Sequence, residues 1–125
     1  MSHVVMLEAA ALARLEDGAL WQLGESLMDP LMDASNRRDY AGHIRDFSAR
    51  ARDVMSADYF HSVVELSQTE RGRFADRERL NLLRRPGAVV FTWRQRFTGT
   101  PGEYLAEMVL ISENGRARVD HVMVI

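Results

Sequence analysis

The chain predicts an α+β domain, with N-terminal helices packed on a four-strand antiparallel meander. Three observations carry this. Apolar residues recur at three- and four-residue spacing up to about residue 70, the period of helices with one buried face. After Gly72 the period falls to two, the signature of strands. Near the end, Asn114-Gly115 sits between alternating runs and closes a hairpin, because a type I′ turn needs positive φ at both central residues.

The elements follow in order. Val5 to Leu15 is rich in Ala and Leu and stops at the breaker pair Asp17-Gly18. Residues 1–17 therefore read as an N-terminal helical extension of a body spanning 19–125, the whole forming one domain. From Ala19 to Asn36, the residues Leu20, Leu23, Leu27, Leu31 and Ala34 share one stripe. Pro30 either kinks this helix or starts a new one capped by Asp29. Asp39 opens the next helix, whose apolar face is Tyr40, Ile44, Phe47, Ala51 and Val54. Ser56 is a good N-cap for a helix that carries Tyr59, Phe60, Val63, Val64 and Leu66 and ends near Glu70 and Gly72. Strands are expected over Phe74–Arg84, Val89–Phe97, Glu103–Glu113 and Arg116–Ile125, with turns at Pro86-Gly87 and Thr98–Gly102.

Composition narrows the function. The 125 residues are 46% hydrophobic, enough for one core, and the net charge is −2. Neither nucleic acid nor an acidic membrane surface is an expected partner of so weak a field. All 16 cations are Arg, which reads as genome composition bias or, more sharply, as a preference for bidentate anion binding. The absence of Cys excludes disulfides, thiolate metal sites and Cys nucleophiles. Glu8 interrupts the first apolar run, no basic segment precedes it, and no stretch is long enough to span a bilayer, so a cytoplasmic location is the default expectation. His61 and Glu65 lie four apart, yet two ligands are too few for a metal, and a surface ion pair is the better reading. His3 and His43 are scattered, no phosphate loop or catalytic signature is present, and no cofactor or metal is expected. The Arg71, Arg73, Arg77, Arg79, Arg84 and Arg85 cluster, interspersed with Asp76 and Glu78, fits a solvated edge strand.

The two-residue turn works as a ruler. It sets Glu113 against Arg116, Leu110 against Val119, Met108 against His121 and Ala106 against Met123. Joining the preceding strand with Phe97 opposite Tyr104 extends the first face to Val89, Phe91, Trp93, Gln95 and Phe97 and puts Arg94 opposite Glu107. The first face is apolar and awaits the helices. Gln95 and His121 intrude on it. The second face carries Val90, Leu105, Val109, Ile111, Val122 and Val124, and no further chain remains to cover it. A second subunit on that face is expected, giving a homodimer.

Certain residues carry a family resemblance: Asp39-Tyr40, Phe47-Ser48, Met55-Ser56, Phe60, Gly72-Arg73-Phe74 and the strands from Ala88 to Ile125. Over residues 19–125 the pattern resembles the nuclear-transport-factor-2-like superfamily, the cystatin-like cone fold of ketosteroid isomerase and SnoaL-type cyclases. The resemblance implies a curved, cone-shaped sheet around a long helix, a pocket at its open end and frequent dimerisation through the outer sheet face. Such a fold hosts enzymes and non-enzymes alike.

The candidate pocket is Trp93, Gln95, Tyr104, Met108, His121 and Tyr40, between the helices and the sheet. His121 is the candidate general base, or else a half-buried histidine bonded to a backbone or side-chain partner. Asp120 alternates to the opposite face, so an Asp-His dyad is not expected. No acid lies on the inner face between Val89 and Ile125, which counts against isomerase chemistry. The first expectation is a domain binding a small apolar ligand or partner in this pocket. A small cyclase, dehydratase or isomerase using His121 is the alternative, and a pocketless assembly domain is the third.

Overall fold

The computed structural model describes residues 8–125. Five helices, α1 (Ala9–Leu12), α2 (Asp17–Asn36), α3 (Tyr40–Ile44), α4 (Ala49–Val54) and α5 (Ala57–Arg71), precede four strands, β1 (Phe74–Arg85), β2 (Ala88–Phe97), β3 (Tyr104–Glu113) and β4 (Arg116–Val124). The strands form one antiparallel sheet in the order β1-β2-β3-β4, so the domain is α+β.

The helices differ from expectation at three places. The expected start of the first helix at Val5 lies outside the described residues, and α1 itself is short. It is nonetheless part of the core, because Leu12 is fully buried. Helix α2 begins at Asp17, takes in Gly18 and runs unbroken through Pro30. Its buried stripe, including Leu20, Met28, Leu31 and Met32, holds the helix together where the proline removes one hydrogen bond. The Tyr40–Val54 run is two helices. Between them Asp46–Ser48 leaves helical geometry and lies parallel to the start of β4. Val119 N–H donates to Asp46 O at 2.8 Å, and Ser48 N–H donates to Val119 O at 2.9 Å. Ser48 then caps α4 by accepting from Ala51 N–H at 3.1 Å.

The sheet register shows two departures. Gln95, and not Phe97, is the partner of Tyr104. A shift of two residues keeps every side chain on its face. It does remove Arg94 from Glu107, and Arg94 pairs with Glu103 at 2.8 Å and Glu78 at 3.2 Å instead. The second departure matters more. The hairpin begins in the expected register, Glu113 with Arg116 and Leu110 with Val119. Positive φ at Asn114 (53°) and Gly115 (75°) gives the turn its type. Then Asp120 is inserted without a partner: Val109 faces His121, Met108 faces Val122 and Ala106 faces Val124. This β-bulge reverses every later face of β4. His121 and Met123 turn outward, and Val122 and Val124 turn to the core.

The inner face of β2–β4 (Val89, Phe91, Trp93, Ala106, Met108, Leu110, Val119) is buried beneath α2. Trp21 packs edge-on to Phe91 and Trp93, at 5.5 and 5.6 Å between ring centres. On the edge strand β1, Arg77 and Arg79 reach over Trp93 and Trp21 to Asp29 and Glu25 of α2. Salt bridges and stacked cations thus fasten the long helix to the sheet margin.

Two glycines of α2 give opposite expectations. A Cβ at Gly24 would stand 2.5 Å from the buried Phe91 ring, whereas one at Gly18 meets nothing within 4 Å. Gly24→Ala is expected to destabilise by about 1–3 kcal/mol through overpacking. Gly18→Ala is expected to stabilise by roughly 0.5 kcal/mol. Urea midpoints check both, and a raised midpoint for Gly24→Ala refutes the close approach.

Candidate functional site

Helix α5 is fastened at its two ends. At its start, Tyr40 Oη donates to Met55 O at 2.6 Å, and the Tyr40 ring meets Phe60. Near its end, Gln68 Nε2 donates to Ser35 O and Asn36 O at 3.3 and 3.2 Å, and Arg38 donates to Gln68 Oε1 at 3.0 Å. Asn36 also clamps the Phe74 backbone on both sides. Between these anchors the helix stands off the sheet and leaves a groove of about 570 Å³. Leu31 and Met32 of α2, Phe60, Val63 and Val64 of α5, and Val122 and Val124 of β4 line it. Exposed Val54, Tyr59, Leu66 and Met123 form an apolar rim.

Two polar side chains stand out against this lining. His43 is buried, between the rings of Phe60 (4.7 Å) and Phe47 (5.2 Å), with Nδ1 2.8 Å from Ser35 Oγ. Burial disfavours the imidazolium and pushes the pKa down to about 4, although a bond to the Leu31 backbone opposes it. The ring is therefore neutral near pH 7. At the other end, the Arg71 guanidinium lies 4.8 Å from the Tyr104 ring centre and 5.7 Å from that of Phe97. No carboxylate among the described residues forms an ion pair with it, whereas Arg77, Arg79 and Arg84 are paired to Asp29, Glu25 and Asp17.

The structure disperses the residues expected to form a pocket. Trp93 and Met108 are sealed beneath α2. Gln95 is fully buried, and its amide donates to Ala75 O at 3.1 Å and Arg96 O at 2.9 Å. Tyr40 packs behind Phe60 and spends its hydroxyl on Met55. Tyr104 lies beside Arg71. His121, expected inside, is on the outer sheet face at the groove margin, with Nε2 3.1 Å from Glu107 Oε1. The bulge is the reason: alternation through Asp120 fails by one residue. Asp120 itself accepts from Ser48 Oγ and from Arg50, both at 2.8 Å. The Arg50 guanidinium, aided by Ser48, holds its carboxyl below the usual range.

The expected dimer face also changes. Val90 is buried, flanked by Leu83 and Val109 on the adjoining strands. Val122 and Val124 point to the core, which leaves half-buried Leu105, Val109 and Ile111 on that face. The bulge has moved apolar surface from the outer face to the groove. His61 and Glu65 are both exposed, and no ion pair joins them. Among the described residues no cluster of three metal-ligating side chains exists, and no helix is long and apolar enough to cross a membrane. His43 was legible in principle, since it shares the three- and four-residue spacing of Tyr40 and Phe47.

No family model and no curated protein matches the chain. Among solved structures, the fold is similar to the solution structure of a SEC-C motif containing protein from Rhodopseudomonas palustris. The TM-score is 0.57 at 17% identity, over 81% of this chain and 77% of that one. At that identity the likeness is one of fold alone. It corrects the resemblance to the nuclear-transport-factor-2-like superfamily, because the similarity of fold found is to the SEC-C motif protein instead. Helices followed by a meander are common to many open α+β arrangements, and the short residue pairs that carried the resemblance mark caps and turns, not one lineage.

His43 gives a pH test. Its folded pKa, about 4, lies below the ordinary value of 6.5, so the unfolded chain binds the extra proton. Its contribution is fully present above pH 6.5 and is lost as the pH falls toward 4. Stability should fall by about 2 kcal/mol between pH 7 and pH 5. His43→Phe should flatten this slope in urea titrations at the two pH values, and an unchanged slope refutes the assignment.

Proposed function

We propose that this domain binds an apolar ligand or partner segment in the groove between α2, α5 and β4. One observation carries the reading. Val54 (67% exposed), Leu66 (61%) and Tyr59 (54%) stand bare around a cleft of about 570 Å³ that leads down to buried Phe60. Apolar surface gathered at a cleft in this way marks a binding site more often than it marks ordinary surface. Neutral His43 supplies a polar contact at the floor without the cost of desolvating a charge. The same cleft weighs against a pocketless assembly domain.

A second reading, a small enzyme of the cyclase, dehydratase or isomerase type with His121 as base, is favoured by one contact. Glu107 orients the His121 ring, as a catalytic base requires. That reading predicts that a captured ligand is chemically altered, and that His121→Gln leaves it unaltered while still binding it. Mass spectrometry of the bound material decides.

The binding reading is tested with anilinonaphthalene sulfonate as the probe. The native protein at pH 7 should enhance and blue-shift its emission. Val63→Asp, at an exposed position on the groove wall, should weaken the probe's affinity about tenfold while leaving the free energy of urea unfolding within about 0.5 kcal/mol. Unenhanced emission with the native protein, or equal affinity in the variant, rejects the proposal.

A further inference from the structure

We infer that the natural occupant of the groove is an extended apolar polypeptide segment that adds to the free edge of β4, parallel to it, and presents a carboxylate to Arg71. This rests on the groove reading above and names the class of occupant.

The first ground is the hydrogen-bonding state of β4. Leu105 and Ile125 exchange both backbone bonds, at 2.7 and 2.9 Å, so Ile125, Met123 and His121 direct their backbone groups to β3. The N–H and C=O groups of Val122 and Val124 then point the other way. β4 is the last strand of the sheet, and among the described residues no backbone bond reaches these groups. Val122 and Val124 line the groove. Unmade backbone bonds beside an apolar wall call for another backbone, which an aliphatic chain cannot supply.

The second ground is continuity. The chain already lays one short segment on this edge: Asp46–Ser48 pairs in parallel at Val119. It departs at Ser48, where α4 begins, and the edge beyond is left open. A strand placed there extends an interface that the fold has started. From Asp120 to Val124 the edge beyond that segment admits about five residues at ~3.3 Å each. Its outer wall is α5, with Val63 and Val64 facing the incoming side chains.

The third ground is charge. A strand parallel to β4 runs toward Val124, which pairs with Ala106, two residues from Tyr104. Arg71 lies over the Tyr104 ring at that end, half-buried and with no carboxylate partner among the described residues. Glu70 is next to it in sequence but forms no ion pair with it. A carboxylate on the incoming segment, as a free C-terminus or an acidic side chain, completes the site.

The probe is an N-terminally fluorescein-labelled hexapeptide of alternating Val and Thr with a free C-terminal carboxylate, followed by anisotropy on the full chain. The carboxylate form should bind about tenfold tighter than its C-terminal amide. Arg71→Met, which keeps the stacked stem, should abolish that difference. N-methylation of the backbone at alternate residues should weaken binding at least tenfold in one of the two registers and spare the other. Equal affinity of both N-methylated forms and the parent overturns strand addition. A decanoate probe that binds with the same dependence on Arg71 while the peptide fails assigns the groove to a lipid-like anion and overturns the inference. A dimer of this chain that the peptide dissociates assigns the edge to a second copy and also overturns it. If anilinonaphthalene sulfonate binds and every peptide fails, the groove reading stands and only this inference falls.

Discussion

The single unpaired residue in β4, Asp120, governs what this fold can present. A strand repeats every two residues, so one inserted residue exchanges the faces of all that follows. The insertion is held in place from outside the sheet. Ser48, fully buried at the junction of α3 and α4, donates to the Asp120 carboxylate, and Arg50 grips its other oxygen. The Asp46–Ser48 segment meanwhile uses the outward-facing backbone groups of Val119. Bulge, helix break and edge pairing are thus one assembly, and each element satisfies polar groups that another exposes.

That assembly determines where apolar surface lies. Beyond the bulge, Val122 and Val124 join the inner face, and His121 with Met123 takes the outer one. Helix α5 does not close over the newly inward valines, because its tethers are at its ends, through Tyr40, Gln68 and Asn36. The helix buries Phe60 and Val64, yet Val63 and Leu66 stay exposed and a gap remains beside Val122 and Val124. Tight packing elsewhere, as at Gly24 against Phe91, shows that the gap is local and not a property of a loose core.

Most of the fold was legible in the sequence, because the signals were local and mutually consistent. Asp39, Ser48 and Ser56 cap helices in the structure, and Ser48 was the one overlooked. Its position inside an otherwise clean amphipathic run made it look like a polar residue on a helix surface. The Asn114-Gly115 turn was read from two residues, since its φ requirement admits few others. The bulge was not legible. Nothing in Val119-Asp120-His121 departs from alternation, and the groups that hold it, Ser48 and Arg50, lie about seventy residues away in the chain. The inward placement of His121 failed with it, because its face was assigned by counting from the turn. His43 and Arg71 carried weaker signals of their own, a shared helical spacing and a place at the end of a helix.

The groove's polar groups are graded along its length, and that gradient bears on selectivity. His43 is buried and neutral, so it can exchange one hydrogen bond without opposing a charge. Arg71 is half-buried, stacked on two rings and permanently charged. Between them the lining is apolar on the α5 side, with backbone donors and acceptors on the β4 side that no other described residue bonds. An occupant gains fully only if it is apolar in its middle, polar along one margin and anionic at one end. A uniformly greasy molecule leaves the β4 edge unsatisfied, and a uniformly polar one forfeits the contact with Phe60 and Val64. On the binding reading proposed above, discrimination comes from the penalty of leaving groups unpaired, which is larger than the gain from making any one bond.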